Sequence, residues 1–497
     1  PSLQVKVTSQ QTSIPELAKI LPALGGIALK PAFDLSLNGP FSRLSVDAAV
    51  RSSSGDVAAK VLTNIEQASA SGPITARHVD VAGMTGRQAD KSDITADATI
   101  DLHAASWSDL NSLTGSISVT TPRIAAAGYA ADRVQLSAQI ARRAATFDGA
   151  AAAYGTSATY RGTVASPEAG PLRYDVSGRA HRLNVEQLPR ALGLPRASTD
   201  INAAYHVRGS MAVAAANASG NARHARITAQ PTRVAVRLVF DPSTVLGASI
   251  AKGGTASVAL GRGLPSYEAD LTVANVDPQR FGTTLRVPVL ATDPFRGIVN
   301  GHISARGRGT TVATLDLDVS GTLTNTTIGV GEIPELSVDA KIANDAADVR
   351  AHGSFAKLDP GALSNKPSLA GSVEGTLELT AHIQSLSAGV QPDCVEGHIS
   401  AMVGPSRVGK VDISGATIDA DYRGSVATIR TLTVAGPDVN VEAAGTVALD
   451  EHGMSNLSVH ADSTNLEQLG SLFGVDVTGM GALDATVTGN RRSLQAE

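Results

Sequence analysis

Aromatic residues, cysteines and long apolar runs are all scarce in this 497-residue chain. Aromatics make up 3% of it and charged residues 18%, and the single cysteine, Cys394, excludes an internal disulfide. A chain so poor in aromatics has little bulk for a wide sandwich core, and it lacks the stacking side chains of a single-strand nucleic-acid binder. The net charge of -5, with both signs interspersed, gives no basic patch for nucleic acid either.

Membrane-spanning and targeting segments are also missing. There is no run of 18 apolar residues and no signal peptide, so we expect this stretch neither to span nor to enter a bilayer by itself. The sequence begins at Pro1 and stops at Glu497, soon after a new repeat begins. We therefore expect a segment of a longer protein whose anchors lie outside it. Its poverty in cysteine is compatible with an oxidising envelope compartment.

Motifs for catalysis, metal binding and cofactor binding are absent from the sequence. Residues 404–409 superficially resemble a nucleophile elbow but have the wrong spacing, and no phosphate loop follows a strand. The eleven histidines are scattered singly, many on the polar phase of strands, such as His103, His382 and His460. None belongs to a cluster with metal-ligand spacing. We predict that the chain is not an enzyme and holds neither a metal nor a cofactor.

One repeating pattern organises the chain, and residues 456–488 show it most clearly. Apolar and polar residues alternate over 457–461, which is the period of a strand with one apolar and one wet face. Thr464 and Glu467 then have the spacing of a capping box, and apolar residues at helical spacing continue to Gly474. The pattern predicts a strand, a short capped helix and a further strand.

The same succession recurs about every 80 to 105 residues. Residues 241–245 resemble an additional helix start, whereas 333–336 lie inside an alternating run and predict a strand. Acidic residues such as Asp80 are expected to be solvated, at edges or turns. The predicted helix starts lie at 13–17, 106–110, 184–188, 277–281, 359–363 and 464–469. We interpret residues 1–497 as one continuous repetitive β-groove, with units at 1–95, 96–175, 176–265, 266–350, 351–455 and, partially, 456–497.

The alternation predicts an all-β fold with strands of about 6 to 8 residues. We expect a long, repetitive, antiparallel-rich sheet, curled like a gutter around an apolar inner groove. An apolar trough is unstable in water unless something apolar fills it, so the apolar phase is the candidate functional surface. The competing interpretation is that these residues pack against a second sheet or against one another, as in a sandwich or β-solenoid. The candidate groove-lining residues are Leu35, Val46, Ile100, Leu102, Leu136, Val236, Leu238, Leu271, Leu315, Leu317, Val319, Leu377, Leu379, Ile399, Ile418 and Val441.

Two sequence features carry a family resemblance that covers essentially the whole chain. They are the capped Asn-Leu-Glu-Gln-Leu helix at 465–469 and runs such as Gly-Ala-Leu-Asp-Ala-Thr-Val-Thr-Gly at 481–489. This pattern resembles the AsmA-like family, and within it the TamB-type subunits of the translocation and assembly module. The resemblance implies a β-groove that conducts phospholipid across the periplasm of a diderm bacterium and supports outer-membrane biogenesis and integrity. It also implies an inner-membrane anchor and a TamA-like outer-membrane β-barrel partner for the full-length protein, and no catalytic residues.

Two other functions stay open from the sequence. The same family suggests a scaffold for the assembly of outer-membrane proteins, in which exposed strand edges template a client. A structural β stalk or adhesin with a dry interior is the second. Charged substitutions at inward positions such as Leu317 and Ile418 distinguish a lipid conduit from a scaffold. In a conduit they should abolish lipid transport and leave the folding of client proteins intact. A stalk should carry no phospholipid.

Overall fold

The computed structural model describes residues 2–11, 31–85, 88–168, 170–213, 229–286, 288–387, 392–450, 453–473, 476–490 and 493–496. The predicted helix at 13–17 lies outside the described residues. Within them the chain is all-β, as predicted, and its long strands pair antiparallel with few short helices between them. Many strands run to 12 or 13 residues, longer than expected. The strands are longer because glycines that suggest strand ends in the sequence lie inside strands, and bulges let the hydrogen-bonded ladder continue past irregular residues.

The chain divides into two compact units. The first comprises Pro1–Ser243 with Ala259–Gly263, and the second comprises Thr244–Val258 with Leu264–Glu497. Each unit is built on a meander, in which every long strand is antiparallel to the next one in the chain. The predicted boundaries of the six repeats stay a prediction.

The first unit contains thirteen strands in its described residues, and they pair in chain order. They are β1 Ser2–Ser9, β2 Ala32–Pro40, β3 Leu44–Ser52, β4 Gly55–Asn64, β5 Ser69–Val79, β6 Ser92–His103, β7 Thr114–Ala126, β8 Tyr129–Ala141, β9 Ala144–Ala153, β10 Thr156–Ala165, β11 Leu172–Leu183, β12 Thr199–Val213 and β13 Ala229–Phe240. The short strands near the sequence boundary of the units are β14 Ser243–Val245, β15 Ala248–Ile250 and β16 Thr255–Leu260.

The second unit continues with long strands and one small side hairpin. The hairpin β24–β25 pairs with the start of β22, while β23 pairs directly with β26. The strands are β17 Ser266–Val276, β18 Gly297–Arg308, β19 Asp316–Ile328, β20 Gly331–Ala343, β21 Ala346–Leu358, β22 Gly371–Ile383, β23 Val395–Val403, β24 Ser406–Val408, β25 Val411–Ile413, β26 Gly415–Arg423, β27 Val426–Ala435, β28 Val439–Ala448, β29 Ser455–Ser463, β30 Gly481–Asn490 and β31 Ser493–Ala496. The prediction that 333–336 is strand is confirmed, since it lies within β20.

Short α-helices lie in connections between consecutive strands, all at the same end of the strands in each sheet. We call this end of the strands the helical edge. Two of these helices begin at Asp-Pro pairs, as predicted: Asp277 accepts a hydrogen bond from the Arg280 N–H at 3.1 Å, and Asp359 accepts one from the Gly361 N–H at 2.9 Å. The α-helices of the described residues are α1 Val81–Thr85, α2 Pro278–Leu285, α3 Pro360–Ser364 and α4 Leu466–Phe473.

Helix α1 was not predicted, and it changes the interpretation of Asp80. The Asp80 carboxylate accepts hydrogen bonds from the Ala82 N–H and the Ser92 N–H, both at 3.0 Å. Asp80 therefore caps α1 and ties it to the start of β6, whereas the sequence suggested a solvated turn. The Ser92 amide is the main reason why the pKa of Asp80 lies below its ordinary value.

Two helix predictions are wrong, and a third is confirmed in part. At 184–188 the Asn184 side chain caps a helix, but this is a 3-10 helix of three residues, Val185–Gln187. Residues 241–245 instead form a bend and β14. Residues 106–110 lie in a loop whose one 3-10 turn is Leu110–Ser112. There the Ser112 hydroxyl donates to the Asp109 carbonyl at 2.7 Å and accepts from the Ala105 N–H at 2.8 Å. Such local side-chain bonds give the backbone an alternative to helix.

Most register shifts between strands lie near the helical edge, for example at Val273/Val276 and Ile298/Gly301. Beside the second shift, the buried Thr326 hydroxyl accepts from the Asn300 N–H at 3.0 Å and donates to the Asn300 carbonyl at 3.1 Å. Bulges bend a strand and increase its twist. The strands therefore bend where the helices connect them.

Candidate functional site: an apolar face on each sheet

The first unit carries one unbroken apolar row across all thirteen of its strands. Directly opposite residues of an antiparallel pair place their side chains on the same face, so the pairing register identifies the row. Its members are aliphatic residues, glycines and two tyrosines. They are Val7, Leu35, Ala48, Ala59, Ile74, Ala98, Val119, Leu136, Gly149, Tyr160, Gly178, Tyr205 and Leu238.

The second unit carries comparable rows, which run side by side on one face. The first consists of Leu271, Ile303, Gly321, Val338, Ala351, Leu379, Ile399, Ala420, Ile429, Gly445, Leu457 and Val487. The second consists of Val273, Gly301, Leu323, Leu336, Gly353, Leu377, Ala401, Ile418, Leu432, Ala443, Val459 and Ala485. No polar side chain interrupts either row.

The opposite face of the second unit is polar along its whole width. Histidines on this face pair with aspartates of adjacent strands: His382 Nδ1 lies 2.7 Å from Asp348 Oδ1, and His398 Nδ1 lies 3.1 Å from Asp421 Oδ1. A row of this polar face is Asp270, Ser304, Ser320, Asp339, Arg350, Thr380, His398, Asp421, Thr428, Thr446, Asn456 and Thr488. The sheet is therefore strongly two-faced.

Each apolar face lacks a second sheet over it in the part of the chain that the structure describes. Within each unit, every extensive contact between strands joins neighbours along the ladder. Side chains of the rows are accordingly mostly half-buried, and Ile399 is 37% exposed. The half-buried side chains favour an open face over the core of a sandwich in both units. An apolar surface of this extent marks a site for an apolar ligand or partner.

Tyrosine rings cover part of the apolar face of the first unit. The Tyr160 hydroxyl donates to the Gln135 carbonyl at 2.7 Å, so its ring crosses the strand that carries Gly149. A Cβ at Gly149 would lie 2.7 Å from that hydroxyl oxygen. The Tyr205 hydroxyl likewise donates to the Thr159 carbonyl at 2.9 Å. Burial raises the pKa of both phenols, so they stay protonated donors.

The apolar face of the second unit ends in a cavity of about 710 Å³, which we call the lidded pocket. Strands β27–β30, the side hairpin β24–β25 and helix α4 line it. This volume lies within the range of roughly 300–1,000 Å³ that is typical of small-ligand pockets. Its lining is aliphatic apart from Ser463 and includes Val411, Val441, Val459, Leu466, Leu469 and Leu472.

Helix α4 forms the lid of this pocket, and two neighbouring connections hold it. The Leu466 N–H donates to the Gly479 carbonyl at 2.8 Å, which closes the lid segment on itself. The Ser368 hydroxyl donates to the Leu472 carbonyl at 2.9 Å. On the other side, a Cβ at Gly409 would lie 2.5 Å from Leu472 Cδ2. The lid therefore packs closely against the β21–β22 connection and the side hairpin.

The structure places every predicted lining residue on the same face as the apolar rows except Leu315, which lies in the turn before β19. In the first unit these are Leu35, Val46, Ile100, Leu102, Leu136, Val236 and Leu238. In the second unit they are Leu271, Leu317, Val319, Leu377, Leu379, Ile399, Ile418 and Val441. That they contact a lipid stays a prediction.

Sequence reasoning missed the side hairpin as part of the site. From the sequence, residues 404–409 are considered only as a nucleophile elbow with the wrong spacing. In the structure they contain β24, and Val408 of this strand lines the lidded pocket. The signal was the apolar pair Val408 and Val411 on either side of Gly409-Lys410, a combination typical of a tight hairpin.

Other kinds of site find no support in the part of the chain that the structure describes. None of its helices combines the length and the hydropathy that crossing a bilayer requires. The described side chains also form no group of three or more potential metal ligands. Comparisons of the chain with family models, with curated proteins and with solved structures give no match.

Proposed function

We propose that the apolar faces bind the acyl chains of phospholipids. In this proposal the chain is part of a bridge-like conduit that carries lipid through the periplasm of a diderm bacterium, from the inner to the outer membrane. The observation that carries the proposal is the set of unbroken apolar rows, which no second sheet covers in the described residues. The resemblance of the repeat to the AsmA-like family supports the same function.

The energetics favour such a role. Burying an acyl chain of about 15 methylenes is worth on the order of 12 kcal/mol, at about 0.8 kcal/mol for each methylene. A lipid that crosses water alone loses this stabilisation, whereas a lipid whose tails lie on an apolar face keeps most of it. Apart from Tyr160 and Tyr205 in the first unit, the rows consist of valine, leucine, isoleucine, alanine and glycine, which offer no side-chain hydrogen bonds. Neighbouring positions should therefore bind a methylene chain about equally well, and the lipid can slide.

Measuring phospholipid on the purified chain, by native mass spectrometry and solvent extraction, tests the proposal. The unmodified chain should carry phospholipid. The Ile418→Asp variant should carry at least tenfold less, because a charge in hydrocarbon costs about 2.5–3.5 kcal/mol. The matched control is Thr417→Asp, which adds the same charge one residue away on the exposed polar face. This control should keep its lipid.

The other outcomes identify the rival functions. An unmodified chain that never takes up phospholipid contradicts the conduit and favours a structural stalk. If Ile418→Asp keeps its lipid, or blocks the folding of outer-membrane clients while transport continues, the scaffold for protein assembly replaces the conduit.

A further inference from the structure

We propose that the lidded pocket is a discrete holding site for one acyl chain of a phospholipid, from which the chain leaves more slowly than from the open apolar face. This inference rests on the proposed function and adds a particular place to it. It divides the apolar surface of the second unit into two parts: an open face along which lipid moves and a covered end where it pauses.

The chemistry of the lining selects the ligand. Leucine, valine and alanine side chains make up nearly all of the wall, and Ser463 supplies the only side-chain hydroxyl. The Ser463 hydroxyl already donates to the Asp438 carbonyl at 2.8 Å. A peptide or a sugar would leave its own polar groups unpaired in such a cavity, at a cost of about 1–3 kcal/mol each. A hydrocarbon chain has no polar group to leave unpaired.

The pocket is continuous with the open apolar face. Val434, Val441, Ala461 and Leu483 face one another across β27, β28, β29 and β30 as one apolar row, and all four also line the pocket. An acyl chain that lies on the face can therefore enter the pocket without crossing a polar surface.

The lid explains why the chain should stay longer there. On the open face a methylene chain contacts protein on one side only, whereas below α4 it contacts the sheet on one side and Leu466, Leu469 and Leu472 on the other. Burial on both sides roughly doubles the apolar area removed from water. The bond from the Ser368 hydroxyl to the Leu472 carbonyl holds the lid in this position, so that both contacts are kept.

Charge in the two connections that hold the lid suits a phospholipid. Lys366 precedes the turn that contacts α4, and Lys410 follows Gly409, which packs on Leu472. Both lysines are exposed, and no ion pair involves either one among the described residues. Their ammonium groups have the charge that would complement the phosphate of a head group remaining in water.

Release kinetics of cis-parinaric acid, a fluorescent fatty acid, test the inference on the whole chain. We expect two phases, of which the slow one corresponds to about one fatty acid for each chain. Ala461→Trp, which fills the pocket, should remove the slow phase and leave the fast one. The control Ala381→Trp adds the same ring to the open apolar face of the same sheet, on β22, and should keep the slow phase. A slow phase that survives Ala461→Trp overturns the inference.

Photolabelling of the unmodified chain avoids any dependence on how well the tryptophan variant folds. A phospholipid with a diazirine at the end of one acyl chain should label peptides from 459–483 most strongly after a long chase. Label spread evenly over the apolar rows overturns the holding site but leaves the conduit intact. A chain that binds neither parinaric acid nor the labelled phospholipid overturns the proposed function itself, so the two failures are distinguishable.

Discussion

Tyrosine rings cover part of the apolar row of the first unit, whereas the two apolar rows of the second unit contain only aliphatic residues and glycines, and that face ends in a lidded pocket. A depression of about 1190 Å³ in the first unit has a mixed lining, in which Asp148 and Arg161 belong to the polar face and Phe147 and Tyr160 to the apolar face. The lidded pocket of the second unit has an almost purely aliphatic lining. Two sheets with the same alternating pattern thus present different chemistry.

The difference comes from what stands beside the glycines. In the first unit, Tyr160 and Tyr205 lie over Gly149 and Gly178, an arrangement in which an aromatic ring fills the space that a missing side chain leaves. In the second unit, the row glycine Gly445 meets the Asn456 carbonyl of the adjacent strand instead of a side chain. Tyr267 covers Gly307 in the same way elsewhere on the second unit's apolar face, so the face stays open only along rows whose glycines no ring covers.

The largest expected effect compares one charge on the two faces. Ile418→Asp in the second unit should lower bound phospholipid at least tenfold, because the charge is placed in hydrocarbon. Leu136→Asp in the first unit should lower it less, since Tyr160, two strands away in the same row, already covers part of that face. Extraction of lipid from both purified variants measures the ratio. Equal losses would show that the two faces bind lipid alike and would break the comparison.

Removing the Tyr160 ring tests whether this side chain covers part of the apolar face of the first unit. Tyr160→Ala should lower the free energy of unfolding by about 2 kcal/mol, below the range for fully buried aromatics because the ring is half-exposed. Tyr160→Phe keeps the ring and loses the bond to the Gln135 carbonyl, which is worth about 1 kcal/mol. Urea unfolding of both variants gives the two values. If Tyr160→Ala unfolds at the same urea concentration as the unmodified chain, the ring does not cover the face.

Loosening the lid sharpens the contrast between open face and pocket. Ser368→Ala removes the hydrogen bond to the Leu472 carbonyl and should speed the slow release of parinaric acid about fivefold, which corresponds to roughly 1 kcal/mol. Ser364→Ala is the matched control, because the Ser364 hydroxyl bonds only within α3, to the Pro360 carbonyl at 2.7 Å. Unchanged release from Ser368→Ala would mean that this bond does not hold the lid.

The smallest expected effect concerns the polar face of the second unit. His460 Nδ1 lies 2.6 Å from Asp484 Oδ1, and its Nε2 lies 3.0 Å from Asp462 Oδ2. Glu442 is the residue opposite His460 on the neighbouring strand β28. The hydrogen bond to Asp484, above all, raises the pKa of His460. Because the pKa of His460 is higher in the folded than in the unfolded chain, the protonated imidazole stabilises the fold at pH values below the unfolded pKa of about 6.5. This contribution is lost as the pH rises through the pKa of the folded state.

Unfolding measured between pH 5.5 and 8.5 should therefore show a gain in stability at the acidic end that His460→Gln lacks. Asp484→Asn should remove most of the same gain. A His460→Gln variant with the pH profile of the unmodified chain would contradict a role for the pair. Lipid binding should be unaffected in both variants, because the pair lies on the face opposite the apolar rows.

Several predictions from sequence were confirmed because they depend on neighbours along the chain. The alternation over 457–461 places Leu457, Val459 and Ala461 on one face of β29, since a strand sends successive side chains to opposite sides. Asp277 and Asp359 start helices because an aspartate before a proline satisfies free backbone N–H groups locally. The helix predicted at 106–110 is absent for a similarly local reason, because the Ser112 hydroxyl bonds to the backbone of Ala105 and Asp109.

Sequence by itself determined the all-β class and which side chains share a face, because a period of two residues is a property of a single strand. Tertiary structure alone decided what covers those faces. Ser368 and Leu472 are 104 residues apart, yet their bond holds the lid, and Tyr160 reaches a carbonyl two strands away. Such contacts depend on the order and register of the strands, which arise only when the whole sheet assembles.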